Sequence, residues 1–218
     1  VTSFKGDLSN WDVSRVTDMT SMFRGASTLN GDLPKWDVSR VSSMEGMFRD
    51  ANDFNGDISK WDVSSVENME GMFCNANLFN SNISNWNTGN VRNMSYMFQN
   101  NSALSNAHKG LIHSSFSSNS NWPYDWSAFV PAPATLTNAN FQTAVNLWCS
   151  DKAAAFSTYG HIRDWNVTGV TNMQNAFKDK TTFDENITGW DVSNVTNMGH
   201  CLLYTSDAAD EGLGVDLG

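Results

Sequence analysis

Large apolar residues return along this chain at a fixed interval of 25 positions. Trp11, Trp36, Trp61 and Trp86 mark the interval. With them travel Val16/Val41/Val66/Val91, Met19/Met44/Met69/Met94, Met22/Met47/Met72/Met97 and Phe23/Phe48/Phe73/Phe98. Leu8, Leu33, Ile58 or Ile83 precedes each Trp, and Phe4, Leu29, Phe54 or Phe79 comes before that. The period returns at Trp165 and Trp190, with Val170/Val195, Met173/Met198, Ile162/Ile187 and Phe177, and all ten methionines lie on repeat positions. A fixed period of this length predicts a solenoid, in which each coil buries its apolar face only against its neighbours.

The spacing inside one interval predicts the shape of a coil. Leu8, Trp11, Val13 and Val16 follow the L-x-x-L-x-L-x-x pattern of leucine-rich repeats, whose middle section is a short strand. Along that strand Trp11 and Val13 point inward and Asp12 outward. Met19, Met22, Phe23 and Ala26 then recur at three- and four-residue spacing, the apolar stripe of a short helix that Asp18 or Ser43 would cap. Asn30–Asp32 and Asn55–Asp57 read as turns, and the aspartates that follow their glycines (Asp7, Asp32, Asp57) as turn chemistry. The expected fold class is α/β: a leucine-rich-repeat-like solenoid of strand-helix-turn coils with stacked parallel short strands.

These residues resemble a known family, the BspA-like leucine-rich-repeat proteins of bacterial surfaces, whose coils read F-N-x-D-I-S-x-W-D-V-S-x-V-T-x-M-x-x-M-F-x-x-A. Phe54 to Phe73 followed by Ala76 carries the pattern most fully. The resemblance covers four coils in 1–103 and nearly two in 161–200. It departs at Trp86-Asn87-Thr88, where Trp-Asp-Val would stand, and at Ala176, which takes a Met position. It implies a cell-surface or secreted protein linked to adhesion and brings no catalytic residues with it.

Between the arrays the period breaks. Residues 104–135 are expected to cap the first array and lead into a linker. A helix over Ser105–Phe116 opens this stretch, the aromatics of 121–126 cover the open end or, in the alternative reading, form a sugar-stacking platform, and Val130–Ala134 runs extended between prolines. Residues 136–160 predict an N-capping helix, from about Asn138 to Thr158, on the stripe Phe141, Ala144, Val145 and Trp148. Thr137 or Asn138 would start it and Gly160 end it. Residues 161–200 begin a second array that is cut off at His200, so the sequence reads as a fragment. From Cys201 to Glu211 the chain matches the translation of a transposase-type sequencing adapter, so 201–218 reads as a non-native tail.

Composition narrows the function classes. The formal net charge is −10, or −6 without the four acids of that tail, and such a balance argues against a nucleic-acid binder. No stretch approaches the roughly 18 apolar residues that span a bilayer. The other cysteines, Cys74 and Cys149, form no framework spacing and read as unpaired. His108, His113 and His161 make no metal-ligand spacing with Cys149, and no nucleophile-elbow, phosphate-loop or zinc-protease motif occurs. Six N-glycosylation sequons occur, at Asn82, Asn93, Asn100, Asn166, Asn186 and Asn194.

The polar set with the most regular spacing is Asp12, Asp37 and Asp62, continued by Asn87 and later by Asn166 and Asp191. On strands about 4.8 Å apart these form an outward ladder. Like charges at that spacing repel by roughly 1 kcal/mol per pair in water, which a cation or a basic partner would relieve. Asn10, Lys35, Lys60, Asn85, Ser14, Ser39 and Ser64 flank the ladder and complete a polar face. The plainer reading is solvated strand residues bonded to local backbone. No cofactor is expected, although calcium is the ion that oxygen-only ligands would suit. The leading expectation is a monomeric, non-enzymatic recognition or adhesion module at the cell surface or outside the cell. It would bind a protein or carbohydrate through the strand face, with no nucleic-acid partner. The alternatives are a structural spacer with no ligand of its own and a polysaccharide-acting enzyme.

Overall fold

The computed structural model describes Leu8, residues 10–33 and residues 35–202. It divides into two compact units, Val1–Val130 and Pro131–Gly218. Phe4, Asp7 and the tail beyond Leu202 lie outside the described residues.

In the first unit, successive repeats lie on one another with a 25-residue offset. Isolated parallel bridges join Asp18 to Ser43, Ser43 to Asn68 and Asn68 to Asn93. The expected strand at Trp11–Val13 is absent, and the pairing falls instead at the residue just before each Met. Residues 19–25 and their equivalents form consecutive turns, so the expected helix is corrected too. The physical reason lies in every fourth backbone position. Ser21, Gly46, Gly71 and Tyr96 have φ of +57° to +59°, and Gly25, Asp50, Asn75 and Asn100 have φ of +58° to +70°. A left-handed residue at each of these places forbids a continuous right-handed helix.

The turns align the backbone across coils. The N–H groups of Met19, Ser21, Phe23 and Gly25 donate to the carbonyls of Ser43, Glu45, Met47 and Arg49 at 2.7–2.9 Å. The same set repeats from the second coil to the third and from the third to the fourth. The alternate residues close each turn upon itself, as in Met22 N–H to Met19 C=O (3.2 Å) and Ala26 N–H to Phe23 C=O (3.0 Å). Nearly all backbone polar groups of the segment are thereby satisfied without helix or extended strand.

The core is a set of side-chain columns. Trp36 stacks on Trp61 and Trp61 on Trp86 with centroids 6.2 and 6.3 Å apart and rings within 3° of parallel. Each indole N–H donates to a backbone carbonyl of the preceding coil: Trp36 to Leu8, Trp61 to Leu33 and Trp86 to Ile58. A phenylalanine column (Phe23, Phe48, Phe73, Phe98) repeats at 5.6–5.7 Å. Trp11, expected inward, is 53% exposed because only one of its faces is covered, by Trp36. The close approach of coils also dictates one glycine. A Cβ on Gly56 would collide with the carbonyl of Gly31.

Helix α1 (Asn106–Phe116), capped by the Ser105 hydroxyl accepting from His108 N–H, follows the fourth coil. Trp122, Tyr124 and Trp126 gather on the ring of Phe98 at 5.5–6.3 Å.

In the second unit, strand β1 (Thr135–Thr137) leads into helix α2 (Phe141–Ser150) and helix α3 (Lys152–Tyr159). The single helix expected over 138–158 is broken at Asp151, which takes φ −145° and ψ 86° and caps α3 by accepting from Ala154 N–H. Thr137 lies in β1, and Asn140 holds the N-cap position of α2. Gly160 ends α3 at φ +75°. Strand β2 (Asn166–Gly169) pairs in parallel with β1, and Trp190 stacks on Trp165 at 6.1 Å.

Candidate functional site

The carboxylates of Asp12, Asp37 and Asp62 lie exposed on successive coils, with Asn87 exposed on the next. Each is held by the residue two positions on. Asp12 Oδ1 accepts from the Ser14 N–H (3.0 Å) and hydroxyl (2.6 Å), and Asp37 accepts from Ser39 at 3.1 and 2.6 Å. Asp62 accepts from Ser64 N–H at 3.0 Å, and Asn87 from Gly89 N–H at 3.1 Å. These hydrogen bonds, the serine hydroxyl first, hold the three carboxyls below the usual carboxylate range, and the neighbouring aspartate opposes this at Asp37 and Asp62. Asn10, Lys35, Lys60 and Asn85 are exposed, whereas Ser14, Ser39 and Ser64 are half-buried by their role in the turn. Asp191 and Asn166 repeat the arrangement in the second unit with Ser193 and Thr168.

The arrangement is a row of local turns presenting one free carboxylate oxygen on each of the first three coils and an amide on the fourth. Among the described residues no group of three or more His, Cys, Asp or Glu side chains is placed to hold a metal ion.

The asparagines explain a second face. Asn100 Nδ2 donates to Asn75 Oδ1 and Asn75 Nδ2 to Asp50 Oδ1 (2.9 and 2.6 Å), while Asn77 donates to Asn52. Asn30, Asn55 and Asn80 accept in turn from the backbone N–H of Asn55, Asn80 and Ser105. The segments read as Asn-Gly-Asp turns are therefore contacts between coils: Asp32 Oδ1 accepts from Asp57 N–H at 2.8 Å. At the sequons Asn93, Asn100 and Asn194, the amide nitrogen that a glycan would take already donates within the protein, to Glu70, Asn75 and Thr168.

His108 meets Asn80 and His113 accepts from the Trp122 indole, so both are structural. His161 is buried beside Trp148, and burial lowers its pKa to about 4. Cys74, Cys149 and Cys201 are free thiols, raised by burial.

One concavity, about 350 Å³, lies between the fourth coil and the aromatic loop, lined by Ser95, Tyr96, Gln99, Pro123 and Tyr124; sequence reasoning singled out the loop aromatics but missed the fourth-coil wall. Its signal was Tyr96, a bulky residue where the two preceding coils have Gly46 and Gly71.

No curated protein and no solved structure matches the chain. No described helix is long and apolar enough to cross a membrane. A family model does match, over residues 1–110 and 134–210, which takes in both repeat arrays and stops short of the aromatic loop. The chain belongs to the family described as "Mycoplasma protein of unknown function, DUF285".

Proposed function

We propose that this chain is a non-enzymatic recognition module of a cell-surface or secreted protein of BspA-like type. Its repeats build a solenoid of leucine-rich-repeat kind that presents the Asp12/Asp37/Asp62 row to a protein or glycan. The observation that supports this reading most is the uniformity of the row. Each carboxylate has one oxygen fixed by its serine, so its other oxygen is pre-oriented and costs little entropy to engage. A repeated surface of this kind suits an extended partner better than a small substrate.

The test uses the whole chain on immobilised glycans and matrix proteins, with calcium and with chelator. Changing Asp12, Asp37 and Asp62 together to Asn keeps the turn chemistry, since Asn87 and Asn166 serve at the same place. Loss of saturable binding in that folded variant supports the row as the contact surface; unchanged affinity removes it. Loss with chelator alone would make calcium part of the contact.

A second reading is a spacer that binds nothing. It is favoured by the degree to which Asp and Asn side chains are already consumed by bonds within and between coils. A folded chain silent on every surface would favour it.

A further inference from the structure

Residues 94–100 of the fourth coil form a backbone edge with open hydrogen-bond donors and no open acceptor. Every carbonyl from Asn93 to Gln99 already accepts a backbone N–H: those of Met69, Gly71, Phe73 and Asn75 from the coil before, and those of Met97, Gln99 and Asn101 within the turns. The forward-facing N–H groups are matched less completely. In the third coil all four, on Met69, Gly71, Phe73 and Asn75, donate to the next coil. Here Phe98 N–H donates to the Tyr124 hydroxyl at 2.9 Å, while those of Met94, Tyr96 and Asn100 have no acceptor among the described residues. Met94 is wholly buried, so the open donors on exposed residues are those of Tyr96 and Asn100. The Tyr124 hydroxyl stands at the position between them, and its own hydrogen has no acceptor among the described residues.

Beside this edge lies the concavity walled by Ser95, Tyr96, Gln99, Pro123 and Tyr124. Two tyrosine rings and a proline make its apolar surface, and Trp126 extends it by stacking on Tyr124 at 4.8 Å. No charged residue lines it. A ligand that fits brings acceptors, apolar bulk, no net charge and few donors of its own. Donors on the ligand would face donors on the edge, and one left buried and unpaired costs about 1–3 kcal/mol. An ordinary extended peptide carries an N–H for every carbonyl, and a sugar hydroxyl is donor as well as acceptor. A carboxylate brings a charge that neither this lining nor a chain of net charge −10 balances.

We propose that this edge and concavity bind a proline-rich peptide segment in the polyproline II conformation. Such a segment has no internal hydrogen bonds, so its carbonyls are free, and its prolines carry no N–H. Its carbonyls accept from the Tyr96 and Asn100 N–H groups and from the Tyr124 hydroxyl. Its pyrrolidine rings pack on Tyr96, Tyr124 and Pro123, the way proline-rich segments use aromatic-lined grooves. The conformation is already formed in the free segment, so little ordering entropy opposes binding. This site is separate from the Asp12/Asp37/Asp62 row and does not depend on it.

The test is amide NMR of the whole chain titrated with an end-capped oligoproline. An end-capped alanine-serine peptide of the same length, a cello-oligosaccharide and acetate are the other arms. Saturable shifts at the Tyr96 and Asn100 amides are expected with oligoproline. The alanine-serine peptide should bind about tenfold more weakly, the effect of one N–H buried without a partner. Tyr96→Gly places in the coil the residue that Gly46 and Gly71 supply in the two before it, so it should fold and lose the binding, while Tyr96→Phe keeps the ring and should retain it. Equal or tighter binding of the alanine-serine peptide, preference for the sugar or for acetate, full affinity in Tyr96→Gly, or silence at millimolar oligoproline from the folded chain would each overturn the proposal. Aspartate-row variants should bind oligoproline normally.

Discussion

The hydroxyl oxygen of Tyr124 stands 2.9 Å from the backbone nitrogen of Phe98, where the Met47, Met72 and Met97 carbonyls stand above Phe23, Phe48 and Phe73. A side chain from the loop after α1 thus takes the place of a coil that is not there. The rest of the cap repeats the device: Asn119 Nδ2 donates to the carbonyls of Thr88 and Val91, and Asn121 Nδ2 to Val91.

Tyr124→Phe should therefore cost the first unit about 1–2 kcal/mol, the loss of one hydrogen bond with its donor left half-buried. The ring stays to pack on Phe98 and Trp126, so chemical denaturation should show a lower midpoint with an unchanged slope. An unaltered midpoint would mean that water replaces the hydroxyl without loss.

The tryptophan column predicts unequal costs for equal substitutions. Trp61 is 3% exposed, stacks on both sides and donates to Leu33 C=O at 2.8 Å, so Trp61→Phe should lose about 2–3 kcal/mol. Trp11, half uncovered, should lose less than about 0.5 kcal/mol on the same change. Thermal unfolding of the two variants side by side decides it.

Two glycines one coil apart make a matched pair. Gly56→Ala drives a methyl into the Gly31 carbonyl and should destabilise by about 1–3 kcal/mol. Gly31→Ala meets nothing within 4 Å and should be near neutral. Similar losses in both would contradict the close contact of these two coils.

His161 makes the second unit sensitive to mild acid. Its folded pKa is lowered from 6.5 to about 4, chiefly by burial, and its Nδ1 accepts from Arg163 N–H, which requires the unprotonated ring. The unfolded chain takes up the proton first, so stability is complete above pH 6.5. It falls by about 1.4 kcal/mol per unit between 6.5 and 4, then levels. Stability against pH for wild type and His161→Gln measures this, and the variant should lose that slope.

The core was legible in the sequence because burial follows the 25-residue period: Val41, Met44, Met47 and Phe48 are as buried as their spacing requires. The local conformation was not legible from the same residues. Met19, Met22, Phe23 and Ala26 keep i, i+3, i+4 and i+7 spacing, which consecutive turns satisfy as well as a helix does. The evidence against a helix lay in the polar positions: Gly25, Asp50, Asn75 and Asn100 recur at one place, and these are the residue types that tolerate positive φ. Asn30 and Asn55 read as turn residues in the sequence, whereas their side chains accept from the backbone N–H of Asn55 and Asn80 in the next coil. The concavity at Tyr96 arises from a loop outside the repeat, so no periodic argument could place it.

Because the N–H groups of Met19, Ser21, Phe23 and Gly25 all point toward the following coil, a stack of such coils has a direction. Along this segment one end offers hydrogen and the other offers oxygen, while the segment before it runs the opposite way, Ser42, Glu67 and Arg92 N–H donating back to the carbonyls of Thr17, Ser42 and Glu67. The ends of the two arrays obey this: Tyr124 meets the forward edge with an acceptor, and in the second unit Gln142 Nε2 meets the backward edge with a donor, on the Ala176 carbonyl at 3.1 Å. A cap group fitted to this segment at one end would present like to like at the other. Repeats cut from such a stack can therefore be rejoined head to tail but never inverted, and whole coils of 25 residues are the natural unit for lengthening or shortening it.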